Sequence, residues 1–148
     1  MKIKQISLFV ENKPGSMNGI CRALSDANVN IATLSLADTE DYGVLRLLVD
    51  DIDKSISVLK EKNYAFKITD VVALEVSHQS GSLAAILDIF SKKGIGIDYM
   101  YAYAAGVNDK AALIFRFSDS DNAIAKLKDE KNIRFLSAEE LIHGSFSK

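Results

Sequence analysis

The sequence predicts an α+β fold in which one β-α-β-β-α-β unit occurs twice. Residues 10–36 and 76–102 match in their small, apolar and polar positions at a constant shift of 66, and such a repeat sets the unit of architecture. Within each copy, segments of period-2 apolar alternation surround two segments of helical spacing. A chain of 148 residues, 48% hydrophobic and 26% charged, is also long enough to bury a core.

The elements of the first copy follow from local patterns. Ile6, Leu8 and Val10 alternate along one side of a strand. The sequence NKPG at 12–15 predicts a turn, and helical apolar spacing begins directly after it at Met17. The predicted elements are a strand at 3–11, a helix at 16–27, a strand at 29–37, a polar hairpin at 38–41, a strand at 42–49, a helix from an N-cap at Asp50 or Asp51 to about Lys62, and a short strand at 65–69.

The second copy repeats this order, and the shift rises to 68 after its hairpin. Its predicted elements are a strand at 71–76, a turn at 79–81, a helix at 83–93, a strand at 95–104, a hairpin at 106–110, a strand at 111–117, a helix at 122–130, a strand at 133–136 and a tail through Lys148. The junction contains no Gly-, Ser- or Pro-rich linker. We therefore predict two domains that follow each other directly, 1–69 and 70–148.

A βαββαβ unit is a split βαβ, or ferredoxin-like, fold, in which an antiparallel sheet carries two helices on one face. The other face of the sheet then needs polar side chains or a partner. Because this fold hosts many functions, the function has to be argued from the sites that the fold carries.

Three tyrosines alternate along one strand of the second copy and therefore share a face, which we predict to be the face without helices. The residues between them, and two leucines at equivalent positions of the first copy, are predicted to point into the core. Tyrosine rings are amphipathic and common at interfaces, and a two-fold dimer brings identical patches together. We therefore expect a homodimer, with ordinary strand preference for tyrosine as the alternative. The tyrosines are Tyr99, Tyr101 and Tyr103, and the core-directed residues are Met100, Ala102, Leu34 and Leu36.

Bulk composition narrows the function classes. The net charge of −2 gives no electrostatic reason to bind nucleic acid or an anionic membrane. No apolar run approaches the roughly 20 residues that span a bilayer, and the N-terminus lacks the pattern of a signal peptide. A single cysteine excludes an intrachain disulfide and favours a reducing compartment. We therefore expect a cytoplasmic protein that binds neither nucleic acid nor a membrane.

The turn at 12–15 is the strongest candidate site. Gly15 is free to adopt a positive φ, Pro14 fixes the preceding bend, and a helix follows directly. Amides in the first turn of a helix are unsatisfied donors at its positive end, so they bind carboxylates. Asn12 adds a donor and an acceptor. An α-amino acid suits such a loop; the alternative is that the turn reverses the chain and Ser16 caps the helix.

The chain resembles an ACT domain in each copy. The first copy has the sequence NKPGSM at 12–17, then a helix, then NVNI at 28–31 opening the second strand, which is similar to the turn and strand motifs of that family. The resemblance covers 1–69 closely and 70–137 in pattern, and it implies the fold already predicted. The whole chain is similar to stand-alone tandem ACT proteins. The resemblance implies a non-enzymatic, amino-acid-binding regulatory protein with a target enzyme among its partners.

The resemblance also implies where the ligand lies. ACT domains bind amino acids between two such domains, where the turn after the first strand meets the second strand of the neighbour. In serine-binding members, an Asn of the turn and an Asn before Ile hold the ligand, and Asn12 and Asn30 match these positions. Those members also use a His two residues before the turn Asn, where this chain has Val10.

The second copy departs from the family pattern at three positions, where it has His78, Ser80 and Gly96. Its site is therefore expected either to bind differently or to support the first. The ligand-binding residues that the resemblance implies for the two copies are Asn12, Lys13, Pro14, Gly15, Ser16, Met17, Asn30, Ile31, His78, Gln79, Gly81, Ser82, Leu83 and Asp98.

Other function classes have weaker support. RNA-recognition modules share the βαββαβ fold, but they need stacking aromatics in the first and third strands and a basic surface. The third strands of this chain, YGVLRLLV and AALIFRF, lack that aromatic pattern, and the net charge is negative. A regulatory subunit that acts by protein contact without a ligand is the second alternative. The sequence contains no nucleophile motif, P-loop or Cys/His metal spacing, so we expect no enzyme activity, no cofactor and no metal. The aspartates before the second helix of each copy are interpreted as N-caps.

Overall fold

The structure is a computed structural model, and it describes residues 1–38, 41–103 and 110–143. The predicted 106–110 hairpin, apart from Lys110, lies outside these residues, as do residues 39 and 40 of the first hairpin and the end of the tail. The elements are β1 (Lys2–Glu11), α1 (Ser16–Asp26), β2 (Ile31–Asp38), β3 (Tyr42–Val49), α2 (Ile52–Glu61), β4 (Phe66–Ser77), α3 (Ser82–Lys92), β5 (Ile97–Tyr103), β6 (Lys110–Phe117), α4 (Ser120–Leu127), β7 (Arg134–Leu136) and α5 (Ala138–His143).

The chain divides into two compact units, one of Lys4–Thr69 and one of Asp70–Lys148 together with Met1–Ile3. In the first unit the strand order is β2-β3-β1-β4, with β1 and β2 both antiparallel to β3. In the second unit the order is β5-β6-β4-β7, again antiparallel. The two orders are equivalent under the sequence repeat. The prediction of two βαββαβ units with antiparallel sheets is confirmed.

The core of the first unit lies between one face of its sheet and its two helices. Alternate residues of β1 and β3 point to this face because successive side chains of a strand point to opposite sides. The apolar stripes of α1 and α2 cover these residues. The buried cluster comprises Ile6, Leu8, Val10, Ile20, Leu24, Val29, Leu45, Leu47, Val49 and Leu59.

The core of the second unit is equivalent and richer in aromatic rings. Phe90 of α3 packs edge-to-face on Phe115 and Phe117 of β6, with ring centroids 5.2 and 5.3 Å apart. The two β6 rings stack on each other with centroids at 5.5 Å. The other fully buried members of this cluster include Val72, Leu74 and Leu127. The core of the second unit therefore lies between one face of its own sheet and its helices, as the core of the first unit does.

The first three helices end in the same way. Asn28, Asn63 and Gly94 follow α1, α2 and α3, and each has a positive φ, of 55°, 57° and 61°. Such a left-handed residue just after a helix lets following amides reach the last carbonyls, and the amide of Val29 donates to the carbonyl of Leu24 at 3.0 Å. This ending explains why α1 and α3 stop one residue before the predicted limits.

One predicted break in the chain is wrong. The sequence predicted separate strands at 65–69 and 71–76, but β4 runs without interruption from Phe66 to Ser77. No Gly or Pro lies between the two predicted strands, so nothing in the backbone forces a turn there. The boundary between the two units falls inside this strand.

The segment after β7 is not a plain tail, because it forms α5. Ser137 and Glu140 make a capping box, in which the Glu140 amide donates to Ser137 Oγ at 3.1 Å and the Ser137 amide donates to Glu140 Oε2 at 2.8 Å. Leu141 of this helix is fully buried. Among the described helices, none combines the length and the apolar character that crossing a membrane requires.

Candidate functional site

The turn after β1 is held by backbone hydrogen bonds. The amide of Asn12 donates to the carbonyl of Asp41 at 3.1 Å, and the amide of Lys13 donates to that of Glu11 at 2.8 Å. Gly15 has φ 88° and ψ −17°, a left-handed conformation that residues with a Cβ rarely adopt. Gly15 therefore adopts the positive φ that the sequence allowed. The turn places the start of α1 directly beside the end of β1.

The turn after β4 has the same backbone geometry. Gly81 has φ 88° and ψ −12°, and the amide of Ser82 donates to the carbonyl of Gln79 at 3.2 Å, as the amide of Ser16 donates to that of Lys13 at 3.3 Å. Ser80 stands where the first copy has its proline. The second turn therefore keeps the shape of the first although it lacks the ring that fixes φ.

Neither α1 nor α3 has a side-chain cap. In both helices glycine is the N-cap, no side chain accepts a hydrogen bond from the first amides, and no acidic residue lies in the first turn. The alternative that Ser16 caps α1 is wrong, because Gly15 occupies the N-cap position. The positive end of each helix therefore faces outward without a carboxylate of its own.

The other two core helices provide the contrast. Asp51 accepts from the amide of Lys54 at 2.9 Å, and Asp119 accepts from the amide of Asn122 at 3.0 Å. The hydrogen bond from the Lys54 amide is the largest cause of the lowered pKa of Asp51. The interpretation of these aspartates as N-caps is confirmed. Among the described residues, no group of three or more His, Cys, Asp and Glu side chains is arranged to hold a metal ion.

A cavity adjoins each turn on the side of the second strand. In the first unit it measures about 90 Å³ and is lined by Asn12, Lys13 and Met17 among others. In the second unit it measures about 340 Å³. Of the predicted site residues of the second copy, His78, Gln79, Ser82 and Leu83 line this cavity, and Gly81 is the N-cap beside it.

A second cavity lies on the other side of each turn. In the first unit it measures about 350 Å³ and is lined by Gly15 and Ser16 together with Tyr64. In the second unit it measures about 400 Å³ and includes Ser82 and Asn132. Each uncapped helix N-terminus therefore stands between two recesses. Pro14 completes the first turn in an exposed position.

Three predicted site residues lie far from the turn of their own unit. β1 and β2 run in the same direction, since both are antiparallel to β3. The turn follows the end of β1, whereas Asn30 and Ile31 stand at the start of β2, at the opposite end of the sheet. Asn30 pairs there with Asp50, whose Oδ1 accepts from the Asn30 amide at 2.9 Å.

Asp98, near the start of β5, is equally remote from the turn of the second unit. Its Oδ1 accepts from Ser118 Oγ at 2.7 Å, and its Oδ2 lies 3.8 Å from Nε of Arg116. The site that the resemblance implies is therefore not assembled within one unit. That these residues close the site of a neighbouring unit stays a prediction.

The tyrosines lie on the sheet face opposite the core, as predicted. The two leucines of the first copy lie on the predicted face but are not buried in the core. Tyr101 pairs with Ile114 and Met100 with Phe115, so Met100 lies on the core face and the tyrosines on the opposite one. Leu34 and Leu36 pair with the core residues of β3, yet they are 43% and 48% exposed. They share the core face but stand on the edge strand β2, where they stay partly exposed.

The sequence reasoning missed an exposed aromatic pair. Phe9 and Tyr42 are 61% and 49% exposed and meet edge to face, with ring centroids 6.4 Å apart. They lie on the face of the sheet opposite the helices. The sequence did indicate this pair, because each strand has an aromatic residue at a position where the alternation of apolar and polar side chains predicts a polar one.

A charged cluster on the second unit was also missed. Glu75 is nearly buried, its Oε1 lies 2.5 Å from Lys110 Nζ, and its Oε2 lies 2.7 Å from a guanidinium nitrogen of Arg134. Arg134 in turn meets Glu140 of α5 at 2.6 Å. The cluster links β4, β6, β7 and α5, and a buried carboxylate needs such partners. Because the strand register brings these residues together, the sequence alone carried no clear signal for it.

Comparisons with known proteins identify relatives of the whole chain. Residues 1–144 match the family model described as an ACT domain pair. The crystal structure of protein BT0572 from Bacteroides thetaiotaomicron is similar at 38% identity, with a TM-score of 0.88 and 96% of each chain covered. The comparison with curated proteins found no significant match.

More distant solved structures share the fold. The regulatory subunit of aspartate kinase from Thermus thermophilus has a TM-score of 0.60 at 13% identity, covering 97% of this chain and 92% of its own. The corresponding subunit from Thermus flavus has a TM-score of 0.59 at 12% identity, with the same coverage. At these identities the likeness shows the architecture alone.

Proposed function

Because the chain belongs to the ACT-domain family and carries a pair of such domains, we propose that it is a non-enzymatic regulatory protein that binds a free amino acid beside the turns before α1 and α3. The uncapped N-termini of these two helices carry the proposal. A carboxylate placed there accepts hydrogen bonds from the first amides and lies at the positive end of the helix dipole. Asn12 and Gln79, which line the adjoining cavities, offer amide oxygens to an ammonium group.

The contrast between the helices supports this proposal. The chain caps α2 and α4 with aspartates and leaves α1 and α3 without a side-chain cap. A glycine N-cap forgoes only about a few tenths of a kcal/mol of helix stability relative to a capping side chain. That this occurs at equivalent places of both units, each beside cavities, favours a ligand carboxylate as the missing acceptor.

We propose that a second copy of the chain completes the site. Asn30, Ile31 and Asp98 stand at the opposite ends of their sheets from the turns, so a neighbouring ACT unit has to supply them if they contact the ligand. The exposure of Leu34 and Leu36 on the edge strand β2 supports an apolar contact at that edge. Light scattering measures the expected homodimer as twice the chain mass of 16.2 kDa.

The structures of aspartate kinase regulatory subunits share this architecture, and their names support a role of the same class. We propose that ligand binding alters how this chain contacts a target enzyme. The alternative, a regulatory subunit that acts by protein contact without a ligand, has the same fold and the same exposed edge. Ligand binding decides between the two.

A thermal-shift screen against the twenty amino acids tests the proposal. A ligand that binds the folded state at 100 times its Kd stabilises it by about 2.7 kcal/mol, which corresponds to a rise in Tm of roughly 5–10 °C for a chain of this size. We expect such a rise with at least one amino acid. Unchanged Tm values with all twenty would leave the protein-contact alternative ahead.

Substitutions at the helix N-termini link the binding to the site. In the double variant S16D/S82D, a carboxylate enters the first turn of each helix and repels the ligand carboxylate, so the thermal shift should vanish. The ligand-free Tm should hold or rise slightly, since an acidic residue there is worth about 0.3–1 kcal/mol. The neutral variant S16N/S82N is the matched control and should keep the shift.

A further inference from the structure

The two cavities on the second-strand side of the turns occupy equivalent positions but differ in size. The first measures about 90 Å³, room for roughly three water molecules. The second measures about 340 Å³, which falls within the usual range of small-molecule sites. Residues shared by the repeat line both: Val10, Glu11, Asn12, Lys13, Met17, Leu36 and Gly43 line the first, and Val76, Ser77, His78, Gln79, Leu83, Ala102 and Ala111 stand at the same places in the second.

The difference in size centres on one pair of positions. A Cβ on Gly43 would lie 2.9 Å from Cδ1 of Leu36, so the Leu36 side chain fills the space above Gly43. In the second unit Ala102 replaces this leucine and Ala111 replaces the glycine. These two positions then carry only methyl groups, where the first unit has a leucine covering a bare backbone.

The other apolar walls do not account for the difference. Val10 corresponds to Val76, which is the same residue, and Met17 corresponds to Leu83, which has a similar volume. Val76, Ala111 and Leu113 are buried and form the apolar floor of the second cavity. The exchange of Leu36 for Ala102 therefore opens the second site.

The charge of the two cavities differs as well. The first includes Glu11 and Lys13, which form an ion pair with each other. The ten described residues that line the second include no Asp, Glu, Lys or Arg. An uncharged apolar side chain would lose little by leaving water for this floor, whereas a charged one would find no Asp, Glu, Lys or Arg of opposite charge among these residues.

We infer that the cavity of the second unit is the ligand site and that it selects an amino acid with a bulky, uncharged apolar side chain, such as leucine or phenylalanine. This inference rests on the proposed amino-acid-binding function. The ligand carboxylate lies at the N-terminus of α3, and its side chain fills the space that Ala102 leaves. Ala102 determines the size of the accepted side chain, and Leu36 closes the equivalent space in the first unit.

Calorimetric titration of the wild type and three variants tests the inference. The probes are leucine and phenylalanine as bulky apolar amino acids, glycine and serine as small ones, and aspartate and lysine as charged ones. We expect the bulky apolar probes to bind most tightly, with one site per chain. A102L should weaken their binding at least tenfold. A84L makes the same size change at an exposed position of α3 that does not line the cavity, and it should leave their affinity within twofold.

The third variant separates occlusion of the cavity from a folding defect. In A102L the new leucine faces the methyl group of Ala111, whereas the first unit has Gly43 at that place. The double variant A102L/A111G rebuilds the leucine-over-glycine pair of the first unit. It should fold, with a cooperative thermal transition, and should also bind at least tenfold more weakly.

The outcomes distinguish this inference from the function on which it rests. If no amino acid binds the wild type, the proposed function fails and this inference fails with it. If small or charged amino acids bind and the bulky apolar ones do not, the function stands and the inference is overturned. The inference is also overturned if A102L/A111G binds like the wild type, or if A84L loses the binding.

Discussion

At the scale of single residues, the two turn glycines are the clearest link from sequence to site. A glycine just before a predicted helix allowed a positive φ at Gly15, and the structure shows a positive φ at both Gly15 and Gly81. The exposure of Leu34 and Leu36 could not be predicted in this way. Alternation along a strand gives the face of a side chain, whereas its exposure depends on whether a helix reaches the edge strand.

Replacing either turn glycine by alanine should destabilise the fold without any steric clash. Nothing lies within 4 Å of a Cβ built at Gly15 or Gly81, so the expected cost is the left-handed backbone alone, about 1–2 kcal/mol. Urea unfolding measures it, with S82A as a neighbouring control that should change stability by less than about 0.5 kcal/mol. Asparagine tolerates this conformation better, so an alanine variant as stable as G15N would contradict the backbone explanation.

At the scale of elements, the sequence predicted the core strands and helices because their apolar periods are long and regular. It failed at β4, where two short patterns merge into one strand, and at α5, which is too short for a clear period. The signal for α5 was the capping box formed by Ser137 and Glu140, three residues apart. A box of this kind ahead of Leu141 would have indicated a helix start within the presumed tail.

The attachment of α5 should depend on the ionisation of Glu140. The Ser137 amide that donates to this carboxylate is the first cause of its lowered pKa, and Arg134 lowers the pKa further. A carboxyl group whose pKa is lower in the folded state contributes stability above its ordinary pKa of 4.5 and loses it as the pH falls through the lower folded value. We therefore expect α5 to loosen below about pH 4.5.

Hydrogen exchange of the Leu141 amide, which donates to the carbonyl of Ser137, measures this loosening. In the wild type, the protection of that amide should decrease as the pH is lowered. E140Q should show less protection at neutral pH and a weaker dependence of the protection on pH. E139Q, which changes a neighbouring glutamate of the same helix, is the matched control. Equal pH dependence in E140Q and the wild type would show that another group is responsible.

At the scale of the whole molecule, the repeat predicted the architecture because each unit closes its own core. Which of the predicted site residues lie together within one unit was harder to predict. Asn12 and Asn30 are 18 positions apart in sequence and match one family site, yet antiparallel pairing through β3 places them at opposite ends of the same unit. The sequence also shows Leu36 and Ala102 at equivalent positions of the repeat. That these two residues line the cavities beside the turns became visible only with the strands in register.

Equilibrium dialysis tests the central claim, that this ACT pair binds a free amino acid, most directly. The wild-type protein is dialysed against an equimolar mixture of the twenty amino acids, and the composition of both chambers is measured after equilibration. We predict an excess of one amino acid, or of a few similar ones, in the protein chamber, approaching the molar amount of protein and absent with S16D/S82D. Identical compositions in the two chambers, at protein concentrations up to the millimolar range, would contradict the account.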